Sequence, residues 1–158
     1  MLPQEITQLV GRAGDVKILE VEKGAIKKFG DAVGDRNPLY WDEEYARNSR
    51  FGAIVAPPGF FGWPTRWQGA MPFFSALREE MINIISKAGF DRVLDGGIEY
   101  DFYRPVRAGD TLSALPKVKD VIERETKTGK MVFSTMETTY TNQNGDVVAK
   151  ARQTVIHR

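Results

Sequence analysis

The stretch Gly34-Asp35-Arg36-Asn37-Pro38-Leu39-Tyr40 decides how this chain is read. The ring of Pro38 disfavours the α region for Asn37, so the backbone must turn there. On the N-terminal side, Lys23 to Val33 places Ile26, Phe29 and Val33 on one helical face. On the C-terminal side, Asp42 is positioned to cap a second short helix through Glu43, Glu44, Tyr45 and Ala46. Asp35 therefore sits on a bend between two helices. Asp31 and Asp35 read as solvated helix-end residues rather than as a carboxylate pair.

Before this bend, Pro3 to Val10 reads as a short helix ended by Gly11, and Asp15 to Val21 as a first strand. After it, Ser49 to Gln68 is dense in glycine, proline and aromatic residues and is expected to be an ordered loop leading into a helix. So much apolar surface would be costly to leave in water. Phe73 to Ala88 has the strongest helical pattern. Phe73, Leu77, Met81, Ile84, Ile85 and Ala88 form one stripe opposite Arg78, Glu79, Asn83 and Lys87, with Gly89 as the stop. The period then changes to two: Ile98, Tyr100 and Phe102 alternate with Glu99, Asp101 and Tyr103, and Pro105 closes the strand. Strands follow at Thr111 to Glu125, Lys130 to Thr141 and Asp146 to Ile156, joined by segments with hairpin chemistry at Thr128-Gly129-Lys130 and Asn142-Gln143-Asn144-Gly145. The last third is thus an antiparallel meander, and the whole is expected to be one α+β domain over residues 1–158.

The chain has 158 residues, 22 Lys and Arg against 21 Asp and Glu, and no cysteine. Without a basic run there is no field for duplex nucleic acid, and no segment nears the roughly 20 apolar residues that span a bilayer. No nucleic-acid partner, no membrane association and a cytoplasmic location are expected. Disulfides, thiolate metal sites and a cysteine nucleophile are excluded. The only histidine is His157, and its place suggests a frayed strand end or solvated tail, not a catalyst. No metal is expected.

Three motifs occur in order. The first is Ala32 to Tyr40, with Ala46 at the following spacing. The second is Arg50-Phe51-Gly52-Ala53-Ile54-Val55-Ala56-Pro57-Pro58-Gly59. The third is Ile98 to Asp110, carrying Phe102-Tyr103-Arg104-Pro105-Val106 and ending Gly109-Asp110. Together they resemble the MaoC-like dehydratase and (R)-specific enoyl-CoA hydratase superfamily, in particular its N-terminal-type domains. The resemblance implies a hot-dog fold, in which a curved antiparallel sheet wraps around one long central helix. It also implies an acyl-CoA thioester substrate, with no cofactor besides that thioester.

In the family, the first motif ends in histidine, which works with the aspartate on the water and the proton of a reversible hydration. Here that position holds Tyr40, a poor general base with an ordinary pKa of about 10. The resemblance maps the catalytic positions onto Asp35, Asn37 and Tyr40, with Asn37-Pro38 mainly fixing the bend. Substrate-binding candidates are Pro58, Gly59, Phe60, Phe61, Trp63 and Trp67 for the acyl group, and Arg104, with Arg107, for coenzyme A phosphates. Gly109-Asp110 reads as turn chemistry. Loss of a positioned acid–base group costs about 10²- to 10⁴-fold in rate. The leading expectation is therefore a subunit of a heteromeric acyl-CoA hydratase or dehydratase, paired with a second MaoC-type chain that keeps an intact Asp/His site. The alternatives are an autonomous hydratase using Asp35, a hot-dog acyl-CoA thioesterase, and a non-enzymatic acyl-CoA-binding protein. A homodimer is the alternative to the mixed assembly.

Overall fold

The computed structural model describes residues 2–64, 76–127 and 129–158. Helix α1 (Gln4–Thr7) and strand β1 (Lys17–Glu20) lead into α2 (Lys23–Ala32). A 3₁₀ turn (Pro38–Tyr40), α3 (Glu43–Asn48) and a two-residue strand β2 (Trp63–Pro64) follow. Helix α4 (Ala76–Lys87) precedes four long strands: β3 (Val93–Phe102), β4 (Thr111–Thr126), β5 (Gly129–Thr141) and β6 (Val147–His157). All strand pairings are antiparallel, in the order β2-β1-β4-β5-β6-β3.

The meander forms because alternation and turns agree. Along β4, Leu112, Ala114 and Val118 are buried while Leu115 and Lys117 on the other face are exposed. The β5–β6 turn closes through Asn142, whose N–H donates to the Asp146 carbonyl and whose Oδ1 accepts from the N–H groups of Asn144 and Asp146. Register shifts between Val118 and Asp120 in β4 and between Asp95 and Gly97 in β3 bend their strands.

Two cores lie on the inner face. One packs α4, through Leu77, Met81 and Ile85, against Ile6 and Leu9 near the N-terminus and against Val118, Val132 and Met136 of the sheet. The other joins β1, α2, the 3₁₀ turn and the segment around Phe60 to the far ends of β4, β5 and β6. A helix seated on a bent antiparallel sheet is the expected layout, and α4 is the longest helix among the described residues. Phe73, expected in its first turn, lies outside them.

Several expectations need correction. Helix α1 is one turn long, because Gln8 to Gly11 form a turn whose Gly11 N–H donates to the Val118 carbonyl. Val33 does not share the buried face of α2 but is 58% exposed; the buried residues are Ala25, Ile26 and Gly30. The chain leaves the helix at Val33, and Gly34 at φ +73° turns it away. Strand β3 begins at Val93, five residues before the visible alternation, since the bulge at Asp95–Gly97 breaks the period. The segment expected to be loop contains β2, paired with Leu19 and Glu20. Its neighbour Gly62 has φ +88°, and a Cβ there would stand 2.6 Å from the Glu20 carbonyl oxygen.

His157 is the largest correction. It is fully buried at the end of β6, flanked by Val132 of β5 and Val93 of β3. Its Nε2 lies 2.8 Å from the equally buried Ser134 Oγ, and among the described residues its Nδ1 has no hydrogen-bond partner. A strand end held from both sides cannot fray.

Candidate functional site

The site is built from local geometry around Asp35. Gly34 supplies the positive φ that ends α2, and the Asp35 N–H donates to the Gly30 carbonyl at 2.9 Å. Asp35 Oδ1 accepts from the Asn37 N–H at 3.1 Å, and Asn37 Oδ1 in turn accepts from the Leu39 N–H at 3.1 Å. Asn37 is thus the cap of the 3₁₀ turn, with Pro38 at its first position, and its side chain serves the backbone. One turn later Tyr40 points inward and is 6% exposed.

The Asp35 carboxylate is near enough to the Tyr40 phenol for its charge to act on it. Burial, then the Asp35 charge, then a hydrogen bond to Asp35 hold the phenol above its ordinary pKa. It therefore stays protonated across the neutral range and is further from acting as a base than a free tyrosine.

Beside this pair lies a cleft of about 340 Å³. Its floor is stitched together by backbone bonds. The Val55 N–H donates to Leu39, Ala56 to Val106, and Ala108 to Ile54, while Arg107 Nε donates to the Phe51 carbonyl at 3.0 Å. Arg50 lies over the Phe51 ring at 4.7 Å. The turn at Pro57-Pro58-Gly59, with Gly59 at φ +88°, then delivers Phe60 and Phe61 into the core. Phe61 stacks on Tyr140 at 4.1 Å and Phe60 packs on Phe29 at 5.3 Å. Tyr140 is nearly fully buried, which raises its phenol beyond the titratable range, with a smaller contribution from Tyr100.

Of the residues expected at the site, Tyr40, Pro58, Phe60, Phe61 and Arg104 line this one cleft. Asp35 stands behind it through Tyr40. Asn37 is a cap, and Gly59 shapes the turn without lining the cleft. Trp63 contributes its backbone to β2, and Trp67 lies outside the described residues. Arg104 pairs with Asp146 at 3.3 Å; both are well exposed, so the pair leaves the guanidinium accessible. Gly109-Asp110 is turn chemistry: Gly109 has φ +93°, and Asp110 accepts from the Arg107 N–H at 2.7 Å and from Gln143 Nε2 at 3.0 Å.

The expectations missed Leu39, Phe51, Val55, Phe102, Tyr103 and Val106 as cleft residues. All six lie inside the three motifs: Leu39 in the first, Phe51 and Val55 in the second, and Phe102, Tyr103 and Val106 in the third. Phe102 and Tyr103 come from the end of β3, and only tertiary structure brings that end to Tyr40. His157 lies eight residues along β6 from Ala149, which pairs with Phe102. At about 3.3 Å per residue that is some 26 Å of strand, so the histidine is remote from Asp35. Among the described residues no group of three or more His, Asp or Glu side chains is placed to hold a metal, and no helix is long and apolar enough to cross a membrane.

A family model described as the FAS1-like dehydratase domain region matches residues 8–151. A probable enoyl-CoA hydratase alpha subunit from Thermomonospora curvata is 32% identical over 133 residues, covering 80% of this chain but 41% of that protein. The chain thus spans less than half the length of this relative. Among solved structures, one in the ChsH1–ChsH2 complex from Mycobacterium tuberculosis is similar at a TM-score of 0.80 and 22% identity, over 96% of this chain and 92% of that one. A MaoC-like dehydratase from Rhodospirillum rubrum is similar at a TM-score of 0.61 and 23% identity, over 99% and 97%. These two likenesses are of fold, and they agree with a curved hot-dog sheet around α4. With the three motifs in place and the family model covering most of its length, the chain belongs to the MaoC-like, FAS1-type dehydratase family.

Proposed function

We propose that this chain is the binding and architectural subunit of a heteromeric acyl-CoA hydratase or dehydratase, and that a second MaoC-type chain carries the intact Asp/His pair. The observation that carries this reading is the buried Tyr40 at the end of the 3₁₀ turn that follows Asp35, where the family's motif has histidine. Hydration of an enoyl thioester needs a base for water and a proton source for the α-carbon. Here the family's histidine position is filled by a phenol held above its ordinary pKa, which stays protonated where a base for water is needed.

The neighbouring cleft supports the binding half of the proposal. It is apolar and aromatic, suited to an acyl group, with Arg104 at its rim for an anionic phosphate of coenzyme A. The names of the similar proteins agree: one is called an alpha subunit, and another is solved as a two-protein complex. In this reading Asp35 and Asn37 hold the Tyr40 wall of the cleft in place, and Pro58, Phe60 and Phe61 contact the acyl chain.

Enoyl-CoA hydration by the isolated chain, compared with the chain co-expressed with a MaoC-type partner, tests this. Activity only in the mixed complex is expected, and full turnover by the isolated chain would overturn the division of labour. Tyr40→His is expected to install the missing base beside Asp35. It should raise hydration by the isolated chain at least tenfold, part of the about 10²- to 10⁴-fold that a positioned acid–base group supplies. Asp35→Asn in the same background should remove the gain.

A further inference from the structure

We infer that the acyl group taken by the cleft is a flat aromatic ring conjugated to the thioester, a 3-arylpropenoyl group, and that Phe102 selects it over a flexible alkyl chain or a puckered saturated ring. The inference rests on the acyl-binding role proposed above and names the class of substrate for that same site.

Size sets the first limit. A cleft of about 340 Å³ lies at the low end of the roughly 300–1,000 Å³ found for ligand pockets, so it suits a compact group better than a long chain. Stiffness sets the second. Nine of the fourteen described residues that line it carry a ring, three of them proline, whose ring fixes its own backbone angle. Main-chain bonds brace this wall. The Phe60 N–H donates to the Pro57 carbonyl at 3.0 Å, and the Tyr103 and Arg104 N–H groups both donate to the Val148 carbonyl, at 2.9 and 3.2 Å. Such a wall does not mould itself to a flexible chain. A chain held against it also loses rotamer freedom that a rigid ring never had.

Ring orientation decides between flat and puckered groups. Tyr140 stacks on Phe61 at 4.1 Å and 17° from parallel. Phe61 and Phe102 both line the cleft, and their rings lie 23° from parallel with centroids 6.3 Å apart. Phe102 also stacks on Tyr100, at 5.6 Å and 28°, yet remains 52% exposed. The cleft thus presents two aromatic surfaces in nearly one orientation, and one of them is open. A planar ring laid against Phe102 is also aligned with Phe61, within the about 4.5–7 Å over which ring centroids favour one another. A cyclohexyl ring is puckered and lacks the quadrupole behind that preference. A 3-arylpropenoyl thioester is flat from its ring to its carbonyl, because conjugation runs through the double bond between them.

Calorimetric titration of the isolated chain with three nine-carbon thioesters, 3-phenylpropanoyl-CoA, 3-cyclohexylpropanoyl-CoA and nonanoyl-CoA, tests the assignment. All three are saturated beside the carbonyl, so none turns over. Buried apolar area alone ranks the phenyl compound weakest, since it carries the least aliphatic surface. The opposite order is expected: the phenyl compound should bind at least about fivefold more tightly than either of the others. Phe102→Leu keeps apolar bulk but removes the ring, and it should abolish this preference, whereas Phe102→Tyr should retain it. Equal affinities, tighter binding of the cyclohexyl or nonanoyl compound, or a preference that survives Phe102→Leu would each overturn the inference. Binding of none of the three would overturn the acyl-binding role itself. Enoyl-CoA hydration by the isolated chain would overturn the subunit reading and leave the ranking standing, so the failures are distinguishable.

Discussion

At the scale of single residues, two side chains with displaced proton affinities do different work. Tyr40 is displaced by burial and by Asp35, and the signature motif already placed these two residues near one another. His157 is displaced in the opposite sense, to about 4, by burial first and then by the charge of Arg78 on α4. Its pKa in the folded chain is below the unfolded value, so neutral His157 contributes stability that is fully present above about pH 6.5. That contribution is lost as the pH falls through 6.5 toward 4. Denaturant titrations over this range are expected to show a declining midpoint, and His157→Gln should flatten that part of the decline by removing the group that titrates. The burial of His157 was not legible in the sequence. Its position near the chain end suggested solvent, and only the pairing of β6 with β3 and β5 on either side puts it inside.

At the scale of elements, legibility followed locality. Strands β4, β5 and β6 could be bounded to within a residue or so, because alternation and turn residues lie next to each other in the chain. The cap at Asp42 was equally readable; its carboxylate accepts from the Glu44 and Tyr45 N–H groups. Strand β2 was not, since two residues carry no period and its existence depends on the close approach of Gly62 to Glu20. Gly62→Ala forces a positive φ on an L-residue and a clash with main chain. Strain of this kind costs about 1–3 kcal/mol before the clash is counted. A loss of unfolding free energy of at least that size is expected in denaturant titrations, whereas Gly24→Ala, with open space at its Cβ, should leave it within about 1 kcal/mol of wild type.

At the scale of the whole molecule, the two cores divide the labour. The core around α4 holds the sheet to its helix, and the core around Tyr40, Phe60 and Phe61 shapes the cleft. Half of the site was visible in the sequence, in the motif residues Asp35, Tyr40, Pro58 and Arg104 and in the aromatic loop with Phe60 and Phe61. The other half, Phe102 and Tyr103 against Tyr40, lies in the third motif, but its meeting with the first is a product of folding over some sixty residues of chain. If the partner carries the chemistry, Asp35→Asn in this chain should change kcat of the mixed complex by less than about tenfold. The equivalent change at a positioned acid–base group would cost about 10²- to 10⁴-fold. Steady-state kinetics of the reconstituted complex would separate the two.

The topology also has a consequence for how the chain acquires its shape. The β4–β5 and β5–β6 turns join neighbours in sequence, so each closes over a short stretch, whereas β3 must find β6 across the whole intervening meander. Contacts between distant parts of a chain form slowly because the loop between them must first be ordered. During refolding β3 is thus the last of the long strands to zip into place, and its sticky residues stay uncovered longest when the protein is newly made.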